Sequence, residues 1–125
     1  MASSCISATV AWLEAALDAA RKLKDREAEG VHLCNLGLAY AALGEPRKAI
    51  ESYEQALVIA REIADRRQEA TWLHNLADEL AKTGRRDKAI ARAERALEIF
   101  EQVESPLAPD ARTLLEELRK QPQQK

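Results

Sequence analysis

Few side chains in this 125-residue chain are suited to covalent or acid–base chemistry: His32, His74, Cys5 and Cys34 head the set. A histidine can act as a base and a thiolate as a nucleophile or soft metal ligand, provided a neighbour activates it. Neither histidine stands in an H-E-x-x-H run. There is no C-x-x-C pair, no glycine-rich phosphate loop and no G-x-S-x-G turn. Carboxylates are plentiful, but Glu51, Glu54, Glu94 and Glu98 sit among lysines and arginines at helical spacing, the pattern of a solvated face. The chain is therefore not expected to be an enzyme, and no catalytic residue is assigned.

Three other constellations carry binding chemistry. Cys34, His74 and Asp78 offer thiolate, imidazole and carboxylate, a donor set that zinc accepts. Equivalent positions on adjacent helices are about 10 Å apart, too far for one ion, so no metal and no cofactor is expected. Arg85, Lys88, Arg92 and Arg95 recur along one flank of a helix and could meet an anion or an acidic partner. Asp87, Glu94 and Glu98 interleave with them and no aromatic platform accompanies them, so nucleic acid is not expected. Asn35 and Asn75 are mediocre helix formers placed mid-helix, and each amide offers a donor and an acceptor together.

The elements that must position these residues come from an internal repeat. Shifting the chain by 40 residues aligns fifteen identities without a gap, from Asp25-Arg26 on Asp65-Arg66 to Ile59 on Ile99. A further shift lays Glu14, Ala16, Leu17, Ala20 and Arg21 on Glu54, Ala56, Leu57, Ala60 and Arg61. The spacing predicts a half repeat over 7–24 and whole repeats over 25–64 and 65–104, all within a single domain. Each repeat reads as two helices. Asp25 and Asp65 cap the first, with Gln68 completing a capping box in the second copy. Gly44 and Gly84 end it, and Pro46 suits the first turn of the next. The second helices are expected over about 46–63 and 86–103, with Ile50, Tyr53, Ala56, Leu57, Ala60 and Ile63 at core spacing. Gly37, Ala49, Ala56, Ala77, Ala89 and Ala96 are small enough to let backbones approach.

Leu33-x-x-Leu36-Gly37-x-x-Tyr40, then Leu43-Gly44, Ala49, Tyr53, Ala56 and Leu57, resemble the tetratricopeptide repeat signature. The second copy keeps Leu73, Leu76, Ala77, Leu80, Gly84, Ala89, Ala96 and Leu97 but carries Ala93 for Tyr53 and Thr83 for Leu43. The 40-residue period is similar to kinesin light chain repeats and to helical arrays of bacterial signalling ATPases. The resemblance implies an all-α, right-handed solenoid of antiparallel helix pairs, about six helices in all, that binds an unidentified protein or peptide without catalysis. It further implies a concave groove formed by the first helices: Val31, Cys34, Asn35, Leu38 and Ala42, then Thr71, His74, Asn75, Asp78 and Lys82. With Lys82 the sole basic candidate there, capture of a C-terminal carboxylate is not implied.

Composition agrees with this class. Hydrophobic residues are 46% and charged residues 32%, against only 4% aromatics, and alanine, leucine, glutamate and arginine favour helix. A net charge of −2 gives no global field for nucleic acid or an anionic membrane. Two cysteines cannot staple a fold, no apolar run reaches membrane length, and the N-terminus lacks a basic leader, so a cytoplasmic protein is expected. The break at 105–109 is expected to precede a capping helix over 109–120 that buries Ala111, Leu114, Leu115 and Leu118, followed by a disordered tail at 121–125. At the other end, a helix over 8–24 has only residues 1–6 to cover the side where a first helix would pack. Val10, Trp12, Leu13, Ala16 and Leu23 are expected there as a homodimer interface.

Overall fold

The computed structural model describes residues 2–120. Its six helices are α1 (Ala2–Lys22), α2 (Arg26–Ala42), α3 (Pro46–Glu62), α4 (Arg66–Lys82), α5 (Arg86–Gln102) and α6 (Ala108–Lys120). The all-α class expected from the sequence, with antiparallel helix pairs and a closing C-terminal helix, is what the chain adopts. Contacts divide it into two compact units that part between Ala64 and Asp65, at the boundary of the two sequence repeats. The first holds α1–α3 and the second α4–α6. The tail expected at 121–125 lies outside the described residues.

Local chemistry sets the helix ends. Lys24, Gly44, Ala64, Gly84 and Glu104 all have positive φ, between 53° and 79°. Each reverses the chain after a helix, and the next N–H reaches back five residues: Asp25 to the carbonyl of Ala20 (2.9 Å), Glu45 to Tyr40 (2.9 Å), Arg85 to Leu80 (2.9 Å), Ser105 to Phe100 (2.8 Å). Two kinds of turn alternate. Where the left-handed residue is Lys24 or Ala64, an aspartate follows, and its carboxylate accepts the N–H of Ala28 or Gln68 at 3.1 Å. Where it is Gly44 or Gly84, the next helix has no side-chain cap. The Gln68 side-chain amide also donates to the Asp65 carboxylate at 3.1 Å, whereas in a capping box its oxygen would accept from the Asp65 backbone N–H.

Packing pairs the helices head to tail. Arg26 at the start of α2 bonds Glu62 at the end of α3, and Arg66 at the start of α4 bonds Gln102 at the end of α5. Arg86 donates from the first turn of α5 to the free carbonyls of Leu118 (2.8 Å) and Arg119 (3.2 Å), holding the end of α6. Glu29 is buried near the start of α2 and takes Arg21 from α1 (3.2 Å) and Arg26 (2.9 Å). Arg21 also reaches Gln55 of α3 at 3.4 Å, so one guanidinium ties three helices. In the second unit Ala111, Leu115 and Leu118 of α6 are buried, with Leu114 half-buried.

Several helix bounds differ from expectation. The first helix begins at Ala2, not 7 or 8, so residues 2–6 belong to it, and it ends at Lys22 rather than 24; the last begins at Ala108 rather than 109. Ile63 and Val103 cap their helices instead of continuing them. Ile63 is consequently exposed rather than in the core, because the chain is already turning towards the left-handed Ala64.

The small residues do allow close approach. A Cβ on Gly37 would lie 2.5 Å from Cε1 and 2.6 Å from Cδ1 of Tyr53, whose ring is buried. The repeat equivalents are Ala77 and Ala93, so one unit pairs glycine with tyrosine and the other pairs two alanines. Gly37→Ala should therefore destabilise by about 1–3 kcal/mol through overpacking. In a denaturation cycle, Gly37→Ala/Tyr53→Ala should cost less than the sum of the two single changes. Strictly additive costs would show that the two residues do not share one space. At the turns, Ala64→Gly should gain about 0.5–1 kcal/mol by relieving a left-handed alanine. Gly44→Ala, with open space around its Cβ position, should lose about as much, and equal midpoints for both variants would contradict this account.

Candidate functional site

α1 has three faces. Val10, Leu13, Leu17 and Ala20 are buried within the chain. Glu14, Asp18, Arg21 and Lys22 form a charged flank: Glu14 accepts from the Tyr40 hydroxyl at 3.4 Å and Asp18 pairs with Lys22 at 2.9 Å. The third face is exposed and uncharged. It carries Cys5, Thr9, Trp12, Ala19 and Leu23, with Trp12 65% and Leu23 79% exposed.

Two clefts, each of about 480 Å³, open beside α1 in the first unit. One is charged, lined among others by Glu14, Asp18, Arg21, Tyr40, Lys48 and Glu51. The Tyr40 ring there has the Lys48 ammonium 5.5 Å from its centroid. The other is apolar and runs between α1 and α2, lined by Ile6, Thr9, Trp12, Leu13, Asn35, Leu38, Ala39 and Ala42. Thr9 spends its hydroxyl on the Cys5 carbonyl at 3.0 Å. That leaves the exposed Asn35 amide as the polar group of this cleft. His32 meets Trp12 edge-on, the rings 6.3 Å apart at 90°. Such a surface can receive hydrophobic side chains and one amide partner.

The two surfaces expected separately from the sequence thus meet. Asn35, Leu38 and Ala42 from the anticipated groove and Trp12 and Leu13 from the anticipated dimer face line one cleft. Other members do not belong. Cys34 is buried, because its position on α2 turns inward, and it is corrected from groove to core. Val10 and Leu13 are buried within the chain, so neither offers its side chain to a partner as expected, although Leu13 forms the cleft floor. Ala16 is half-buried and Val31 half-buried, while Leu23 is exposed as anticipated. Ile6, Thr9 and Ala39 were missed. Starting the first helix too late removed Ile6 from view.

In the second unit Thr71, His74, Asn75 and Asp78 are half-buried on α4, and Lys82 is exposed. Asp78 holds Lys82 at 3.1 Å, and this bond raises the lysine above its ordinary range. Cys34 and His74 fall in different units, and among the described residues no three metal-ligating side chains gather. Nδ1 of both histidines is buried without a hydrogen-bond partner among the described residues. Along α5, Arg85, Lys88, Arg92 and Arg95 do share a flank, but Arg95 is held by Glu98 at 3.1 Å and Arg119 turns to Glu94 at 2.9 Å. No helix among the described residues is long and apolar enough to cross a membrane.

The model for the family described as "Tetratricopeptide repeat" matches this chain twice, over residues 8–62 and 48–102. No curated protein sequence matches it.

Tyr40 reports on the charged cleft. Burial raises its pKa above the ordinary 10.0, and Glu14 raises it further by disfavouring the phenolate. Because the folded value is the higher one, the stability this contributes is present below pH 10.0 and is lost as pH rises through the folded value. In a Tyr53→Phe background, ultraviolet titration should find Tyr40 ionising above pH 10.0, and Glu14→Gln should bring the midpoint down. An unmoved midpoint would separate Tyr40 from Glu14.

Proposed function

The chain belongs to the tetratricopeptide repeat family, and from that premise we propose that it is a non-catalytic interaction module whose working surface is the apolar cleft between α1 and α2. Repeats of this family generally mediate protein–protein interaction. The ligand is an amphipathic partner helix, or an extended peptide, that presents uncharged side chains to Trp12 and Leu38 and a backbone or side-chain amide to Asn35.

One observation carries this reading: large apolar side chains stand exposed around a cavity whose walls hold no charge. Trp12 and Leu38 are 65% and 48% exposed beside it. None of the 19 basic and 21 acidic residues falls within 2–13 or 30–44, the stretches that build its walls. Exposed surface normally carries charge, and depletion of charge with aromatic enrichment marks the centre of an interface. The charged cleft and the arginine flank of α5 lack this signature, since both are lined with charge, part of it already paired: Asp18 with Lys22, Glu14 with the Tyr40 hydroxyl, Arg95 with Glu98. A chain with only two cysteines fits a reducing compartment such as the cytoplasm, the setting this reading takes for the module.

The test is selection of a helical peptide library against the whole chain. Enriched peptides should share uncharged apolar anchors at i, i+3, i+4 and i+7. They should lose binding at least about tenfold on Trp12→Glu/Leu38→Glu, and less on Asn35→Ala. Selected peptides that bind the double variant as well as wild type would place the working surface elsewhere.

A further inference from the structure

α1 exposes a stripe that the other described residues leave uncovered. At ~100° per residue, Cys5, Thr9, Trp12, Ala16, Ala19 and Leu23 fall along one side of the helix, and Glu14, Asp18, Arg21 and Lys22 fall on the other. The repeat itself shows what such positions do elsewhere. Thr9 and Trp12 correspond to Ala49 and Ser52 of α3, which are buried there, while on α1 both are exposed.

The order of sizes along this stripe is also unusual. About a two-fold axis at the level of residue 14, position 12 maps onto 16, 23 onto 5, and 19 onto 9. The two largest side chains then meet smaller ones, Trp12 facing Ala16 and Leu23 facing Cys5, while the small Ala19 and Thr9 face each other. Parallel pairing would instead set Trp12 on Trp12 and Leu23 on Leu23. No charge enters the antiparallel contact, because the charged flank points away, so two like faces meet without repulsion or an unpaired buried ion. Leu38 and Ala42 of α2 border the same cleft and extend the apolar floor beneath the incoming helix.

We propose that the occupant of the α1–α2 cleft is α1 of a second copy of this chain, packed antiparallel about a two-fold axis so that each Trp12 lies over the other copy's Ala16. This deepens the preceding reading and rests on it, since it names the partner of the same cleft. Isologous contacts of this kind use one patch twice, which a stripe complementary to itself satisfies. Self-association covers Trp12 and restricts access to the cleft, so a heterologous helix must compete with the second copy for the same surface.

Sedimentation equilibrium of the 125-residue chain under reducing conditions is the primary measurement. Wild type should move from monomer to dimer between low and high micromolar concentration. Trp12→Glu should raise the dissociation constant at least about tenfold with unchanged helical circular dichroism. Register is read with Leu23→Cys: mild oxidation should link Cys5 to the new thiol of the other copy, whereas two Cys5 residues stand about 27 Å apart along antiparallel helices. A wild-type chain that stays monomeric at high micromolar concentration overturns the proposal. So does a dimer that survives Trp12→Glu, or a wild-type dimer that cross-links Cys5 to Cys5. The cleft reading fails separately: selected peptides that ignore Trp12 and Leu38 defeat it, while a monomer that still binds them through those residues leaves it standing.

Discussion

The left-handed residue that closes each of the first five helices fixes the rest of the architecture. It recurs at 24, 44, 64, 84 and 104, so the chain reverses every 20 residues and each of α2–α5 is left with 17. A helix of that length spans about 25 Å. Equal lengths are what let Arg26 reach Glu62 and Arg66 reach Gln102 across a pair, because start and finish then lie side by side. The same constraint explains why glycine is needed at only two of these turns. Lys24 and Ala64 adopt the strained conformation with an aspartate cap immediately after them, and the cap, worth about 1 kcal/mol, offsets much of the strain. Gly44 and Gly84 bear no strain, and their following helices manage without a side-chain cap.

Within this frame, side-chain volume is exchanged between paired helices rather than fixed by position. Gly37 with Tyr53 and Ala77 with Ala93 are two solutions to the same contact. Polar groups that must be buried are placed where backbone charge helps them: Glu29 sits in the positively polarised first turns of α2 and draws in two arginines. The arginines remain half-exposed, so each keeps part of its hydration while neutralising the carboxylate.

Much of this was legible because it is periodic. The 40-residue shift, the Asp25 and Asp65 caps and the Gly44 and Gly84 turns are local signals, and each is found where the residues put it. Ile63 misled, since its helical spacing is right but it lies one residue from a turn that no glycine announces. The start of α1 was hidden for a similar reason: residues 2–7 have no repeat partner in the alignment and no capping aspartate, so only the helix itself reveals them. The cleft was half legible. Its walls were both noticed, but as unrelated surfaces, because periodicity says which side of a helix is apolar and not which neighbour that side meets. Cys34 shows the same gap, since a groove position inherited from the family turned out to be buried.

The uncharged stretches at 2–13 and 30–44 were the signal that could have joined those walls. In a chain that is 32% charged, solubility favours placing a lysine or glutamate at every exposed helical position that packing leaves free. α3 and α5 follow that rule along their exposed faces, through Arg47, Lys48, Glu51 and Glu54, and through Asp87, Lys88, Glu94 and Glu98. α1 follows it on one flank and abandons it on the other, although both flanks are exposed. Core packing does not require that asymmetry, since Cys5, Thr9, Trp12 and Ala19 are all exposed. Nor does repeat geometry, since the charged Arg92 occupies the position of Trp12 in the shorter helix α5. On the pairing proposed above, the requirement comes from outside the unit: a face kept neutral because a neutral face lies against it.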